Sequence, residues 1–139
     1  MIKDPILRTI VAFLIVPFII LFGFYIQFHG DNIPGGGFQA GIIISSGIIL
    51  YSMISDISVA VKIVPHCIIN FINMLGILIY VGTGIITVLF GKSFLSYGAL
   101  LSNSFSGQKI GILLVEVGVA LTVFSSMLII YISLARIKR

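Results

Sequence analysis

The sequence predicts an all-α integral membrane protein with four transmembrane helices and both termini on the cytoplasmic side. Of its 139 residues, 59% are hydrophobic and 9% charged, where soluble domains carry roughly a quarter charged residues. Its mean hydropathy is +1.26. The apolar residues gather in four runs, at about 6–28, 38–55, 67–90 and 109–134, each close to the ~20 residues that cross a bilayer core. Little chain is left over, so residues 1–139 are expected to form a single membrane domain. The basic residues stand at the edges of the runs. Lys3, Arg8, Lys62, Arg136, Lys138 and Arg139 fall on one side, and Lys92 and Lys109 on the other. That excess places the termini inside, by the bias of cytoplasmic loops toward Lys and Arg.

The first run, with Lys3, Asp4 and Arg8 before it, is too long for the 7 to 15 residue apolar stretch of a signal peptide. Its end, Gly23-Phe24-Tyr25-Ile26-Gln27, offers no small-residue cleavage pattern, so it reads as a retained helix. Pro17 near its middle removes one intrahelical bond and frees the carbonyl of Phe13, which predicts a kink. In the second run Gly37, Gly41, Ser45 and Ser52 share one helical face, a small-residue groove for a neighbouring helix. Asp56, Lys62, Pro65 and His66 mark the next loop, and His66 reads as an ordinary loop histidine. The third run carries Asn73, Gly76, Tyr80, Gly84 and Thr87 on one side, with Asn70 at its edge, a face expected to point at protein. A serine-rich loop from Lys92 to Gln108, with room for a short interfacial segment, leads into the fourth run.

The composition excludes several functions. Although the net charge is +4 and the pI near 9.5, the basic residues form no stripe, so nucleic acid is not a partner. Cys67 is the sole cysteine and reads as a small apolar residue, leaving no intrachain disulfide and no cysteine-based metal site. Gly35-x-Gly37-x-x-Ala40 fits a dinucleotide fingerprint in spelling, but it follows a membrane span where that motif needs a strand. Gly91-Lys92-Ser93 resembles the end of a phosphate loop, yet Ile86 stands where the first glycine is required. No nucleophile with a paired base appears, so no enzyme and no cofactor are expected.

Two stretches stand out from the apolar background. His29 to Gly41 reads HGDNIPGGGFQAG, a dense cluster of turn formers between two apolar runs. Pro34 fixes its own φ, while Gly35, Gly36 and Gly37 permit φ > 0 and let a backbone or an ion approach closely. The turn sits at the membrane surface or dips into the bilayer, where free backbone groups need partners. His29 and Asp31 within it either tune a proton or cation entry site or solvate the turn; they are too few for a metal centre. The second stretch holds Glu116, seven residues into the fourth run and hence on the order of 10 Å below the outer surface. An ionised carboxylate facing lipid at that depth is costly, so it is protonated, paired or lining a wet cavity; a structural hydrogen bond and an ion-linked role both fit. Gly111, Gly118, Thr122 and Ser125 share one face of this helix, and Glu116 points nearly the opposite way with Lys109, Ala120 and Met127. Both faces want protein, which predicts a partner membrane subunit on one of them.

These residues carry a resemblance. HGDNIPGGGFQAG at the exit of the first span, with Pro34-Gly35-Gly36-Gly37-Phe38 at its core, and a last span with an acid in LLVEVGVALTVFSSML, are similar to the MnhB/MrpB family, small subunits of the Mrp-type (Mnh) multisubunit sodium/proton antiporters. The likeness extends over essentially the whole chain; Ala40 departs from it, where a glycine is expected more often. It implies a bacterial inner-membrane assembly related to respiratory complex I that exports Na+ in exchange for H+. Within it this chain would be a small accessory subunit beside larger antiporter-like subunits. Candidate ion-pathway residues are then Glu116, Asn73, Tyr80, His29 and Asp31, and Pro34, Gly35, Gly36, Gly37, Phe38 and Gly41 form the packing motif. The rival readings are a four-span homodimeric multidrug/proton antiporter, or a purely structural subunit of a related respiratory or hydrogenase complex.

Overall fold

The computed structural model describes residues 5–30, 35–55, 64–100 and 104–137. Asp31 and Pro34 lie outside the described residues. The rest is helical, with no strand among the described residues, and four helices are long and apolar enough to cross a membrane. Helix α1 spans Pro5–His29. Its segment Val11–Ile15 is π-helical, and the N–H of Val16 donates to the carbonyl of Val11. The kink expected at Pro17 thus takes the form of a wide turn placed just before the proline, which absorbs the missing donor by shifting the register of hydrogen bonds. Helix α2 is Gly37–Ser55, α3 is His66–Leu89 and α4 is Ser104–Ile137. Helix α4 begins earlier than the expected start near residue 109. With 34 residues it is about 50 Å long, against a hydrocarbon core of ~30 Å, so it projects beyond the bilayer.

The helices stand in the order α1, α2, α4, α3. Small residues set this order, because lipid supplies no hydrophobic drive between helices and close approach of backbones must hold them. A methyl group at Gly41 would lie 2.7 Å from the carbonyl oxygen of Ala120, and one at Gly76 would lie 2.7 Å from that of Gly118. Gly37 and Gly41 therefore seat α2 on the Glu116–Ala120 face of α4, while Gly76 seats α3 on the Gly118–Thr122 face. Gly23 of α1 packs on Ile43 and Ile44, and Gly47 returns the contact to Ile19 and Ile20. The small-residue face of α2 is buried, with Ser45 and Ser52 at 1% and 2% exposure.

This arrangement corrects one expectation. The two faces of α4 are indeed both covered, but by α2 and α3 of the same chain, so they do not of themselves call for a partner subunit. A row of four helices can flank its own last member if that member inserts between the second and the third.

Buried hydroxyls on the helices are satisfied locally. Ser45 donates to the Ile42 carbonyl at 2.8 Å, Thr87 to that of Gly84 at 2.7 Å, and Ser125 to that of Leu121 at 2.7 Å. Toward the C-terminal end of α4, Ile69, Leu128 and Ile132 form a buried cluster, beside which the Tyr131 hydroxyl donates to Ser52 Oγ at 3.1 Å and ties α4 to α2.

At its C-terminal end α3 closes on a glycine. Gly91 has φ +71°. Its N–H donates to the Val88 carbonyl at 2.9 Å, and that of Lys92 to the Thr87 carbonyl at 3.2 Å, a Schellman stop. The Gly91-Lys92-Ser93 triplet is therefore helix punctuation. Beyond it the loop folds back on the bundle. The Phe94 ring occupies the space over Gly84, the Tyr97 ring that over Gly111, and Leu95 N–H donates to Thr87 Oγ1 at 3.0 Å. Residues Tyr97–Ala99 form a short 3-10 turn, the only trace of the interfacial segment among the described residues.

Candidate functional site

The glycine turn and the intramembrane acid meet. Glu116 of α4 projects into the gap between the end of α1 and the start of α2. A methyl group on Gly36 would stand 3.3 Å from Glu116 Oε1, and one on Gly30 would stand 3.3 Å from Oε2 and 3.5 Å from Oε1. The carboxylate thus lies against the bare Cα atoms of both glycines. One residue further on, a methyl at Gly37 would overlap the carbonyl oxygen of Glu116 itself. The backbones of Gly30 and Gly35 also approach, with the Gly35 oxygen 3.2 Å from where a Gly30 methyl would be.

Of the two reasons for glycine that the sequence offers, freedom of φ and close approach, the second is the one seen at Gly36 and Gly37. Gly91 has φ > 0, whereas Gly36 and Gly37 are not in the left-handed region. They are small because the turn and Glu116 occupy the same space. Their position has an electrostatic consequence too. The first N–H groups of a helix have no intrahelical acceptor and carry the positive end of its dipole, and α2 begins at Gly37, directly beside Glu116.

Depth follows from the same contacts. Glu116 lies seven residues along α4 from Lys109, roughly 10 Å deeper at 1.5 Å per residue. Gly30, Gly35 and Gly36 share its level, so non-helical backbone sits beside the interior of the apolar α4 span. Such backbone persists at membrane depth only when protein covers it or water reaches it. Glu116 is itself half-buried.

The remaining candidates disperse. His29 is exposed, its ring stacked on Tyr25 at 4.5 Å with Nδ1 3.1 Å from the Tyr25 carbonyl oxygen, on a different side of α1 from the buried Gln27. Asn73 is half-buried and Tyr80 is 37% exposed, both on α3, so the body of α4 separates them from Glu116. The expected single polar face of α3 holds for Gly76, Gly84 and Thr87, which are buried, and is lost at Tyr80. Tyr80 instead neighbours Tyr97: burial pushes the Tyr97 phenol above its ordinary pKa, and the Tyr80 phenol adds to the shift. Gly41 packs on α4 as described, whereas Phe38 is 56% exposed. Among the described residues no three His, Cys, Asp or Glu side chains come together as a metal site would need.

Two residues absent from the sequence-based candidates also belong to this region, Gln27 and Gly30. Gln27 is 8% exposed, and neither its Oε1 nor its Nε2 has a hydrogen-bond partner among the described residues. An amide inside an apolar run, one turn before a glycine that ends the helix, was the available signal.

Known proteins resemble the chain over most of its length. A family model described as a domain related to the MnhB subunit of Na+/H+ antiporter matches residues 6–129. A Staphylococcus haemolyticus protein carried under the name antiporter subunit mnhB2 is 40% identical over 134 residues, which is 87% of this chain and 92% of that protein. Proteins of the same name from Staphylococcus epidermidis and Staphylococcus aureus are 37% and 35% identical over 137 residues, covering 89% and 90% of this chain and 94% of each relative. With matches of that extent, a four-span fold and the glycine turn closed on an intramembrane acid, the chain belongs to the MnhB family, multi-pass proteins of the bacterial plasma membrane.

Proposed function

We infer that this chain is a small membrane subunit of a multisubunit Na+/H+ antiporter, and that Glu116, seated in the glycine turn, is linked to the passage of ions through that complex. The family supports the first part, and one contact supports the second: a carboxylate at intramembrane depth pressed against the bare backbone of Gly30 and Gly36. Intramembrane acids serve pathways more often than packing. The partners are the other membrane subunits of the complex and the surrounding lipid, and the transported ions are Na+ and H+. The described helices carry many exposed apolar side chains, among them Phe13 at 81% and Leu89 at 80%, as surfaces in contact with lipid or with other subunits do. Both termini face the cytoplasm, because the basic residues gather at that end, and the glycine turn then opens to the outside. A homodimeric multidrug antiporter is not favoured, since the relatives are named as antiporter subunits.

The test is exchange in membrane vesicles holding the whole complex at equal abundance. Glu116→Gln keeps shape and most hydrogen bonding but cannot carry charge, and should cut Na+/H+ exchange by at least ~10-fold, while Glu116→Asp retains part of it with a shifted pH profile. Wild-type exchange by Glu116→Gln would return the residue to a packing role and leave the chain a structural subunit.

A further inference from the structure

Gln27 is not accounted for by helix packing. It lies on the face of α1 that also carries Gly23 and Gly30, three residues before the glycine that abuts the Glu116 carboxylate. Gly23 opposes Ile43 and Ile44 of α2, and Gly30 opposes Gly35 and Glu116, so Gln27 falls between these two contacts, about one helical turn below the carboxylate. The surroundings at that level are apolar and small: Ala40 of α2 is fully buried, and Ala120 lies one turn past Glu116 on α4. A primary amide has two donors and a carbonyl oxygen with two lone pairs. Burying all of them without partners is unfavourable, a cost the fold should not carry for an arbitrary residue.

We propose that the Gln27 amide and the Glu116 carboxylate frame one hydrated site for a small monovalent cation, between the outer ends of α1, α2 and α4. Glu116 supplies the charge, the Gln27 carbonyl supplies a neutral oxygen one turn deeper, and water completes the shell. Two protein groups fall short of a full shell for an alkali cation, so the ion stays partly hydrated and exchanges readily, as an ion in transit must. Two other side chains near this end have contacts of their own: the His29 ring is turned toward Tyr25, and the Lys109 ammonium, two turns outward, lies 4.8 Å over the Phe105 ring. Gln27 is a ligand on the deeper side of the site, and its role rests on the ion-linked reading of Glu116.

The experiment measures Na+/H+ exchange against Na+ concentration in vesicles containing the complete complex, with rates normalised to complex abundance. Gln27→Leu should raise the Na+ concentration for half-maximal exchange by about fivefold, which at 1.4 kcal/mol per tenfold is ~1 kcal/mol, the worth of one polar contact, and should leave the maximal rate within about twofold. Gln27→Glu, with a carboxylate in place of the amide, should shift half-saturation the other way. Unchanged half-saturation in both variants, while Glu116→Gln abolishes exchange, overturns the site and spares the reading of Glu116. Wild-type exchange by Glu116→Gln overturns both. If the leucine variant does not assemble, Gln27→Cys on a Cys67→Ala background decides the matter. A hydrated site predicts reaction with a small water-soluble methanethiosulfonate that Na+ slows, and absence of reaction, or reaction indifferent to Na+, overturns it.

Discussion

Gly37→Ala adds one methyl group where α2 begins and meets α4. That methyl would overlap the Glu116 carbonyl oxygen and also crowd the Glu116 carbonyl carbon. Both sides of the clash are helix backbone, so no side chain can rotate away, and the two helices must part. Separation there also loosens the Gly41 contact one turn on, where the space for a methyl ends 2.7 Å from Ala120 O and 3.0 Å from Val123 Cβ. Overpacking of this kind costs about 1–3 kcal/mol in ordinary cores, and a clash of rigid backbone belongs at ~3 kcal/mol. Two other glycines calibrate the scale. A methyl at Gly36 meets only the end of the Glu116 side chain, at 3.3 Å, which gives way for less than ~1 kcal/mol. A methyl at Gly82 meets nothing within 4 Å and should gain up to ~1 kcal/mol of helix propensity. Thermal midpoints of the purified complex should therefore fall in the order Gly82→Ala, Gly36→Ala, Gly37→Ala, with the last also releasing partner subunits first. A Gly37→Ala complex as stable as Gly82→Ala would refute the placement of α2 on α4.

Other substitutions probe the remaining contacts. Gly41→Leu should destabilise by more than ~3 kcal/mol, because its side chain meets α4 backbone, while Ile43→Leu, on the α1 side of α2, stays under ~1.5 kcal/mol; equal losses in a thermal assay would mean the faces of α2 are misassigned. Tyr131→Phe removes the 3.1 Å bond to Ser52 and should cost about 1 kcal/mol at the inner end, with no change in exchange rate per complex; the check is the midpoint shift beside the rate. Phe94→Ala empties the space over Gly84 and should free the loop after Gly91, read as faster cleavage by protease added from outside, whereas an unchanged cleavage rate would show the ring is not what holds it.

What the sequence revealed, and what it hid, divides along the range of the interactions. The four spans were legible because bilayer thickness and hydropathy are properties of local runs, and the faces of α4 because helical periodicity is fixed. The polar end of α1 and the glycines of α2 were visible as anomalies in an apolar chain. What was not legible is which helix lies beside which. Gly37 and Glu116 are far apart in sequence, and nothing in either run says that α4 inserts between α2 and α3. That gap produced the mistaken inference of a partner subunit on α4. It also left open which of two demands the glycines meet, left-handed backbone or close approach; at Gly36 and Gly37 it is close approach. The neighbourhood of Tyr80 and the loop residue Tyr97 was hidden for a related reason, since the two lie in different segments of the chain.

The meeting of turn and acid is tested most directly by a double-mutant cycle between Gly36→Ala and Glu116→Asp, read as thermal stability of the intact complex. The aspartate arm is one methylene shorter and withdraws its carboxylate from the place where the new methyl would stand 3.3 Å from Oε1. Gly36→Ala should therefore cost stability in the wild-type background and almost none in the Glu116→Asp background, a coupling of at least ~0.5 kcal/mol. Effects that add to within about 0.3 kcal/mol would show that the two residues do not touch, and would contradict the account.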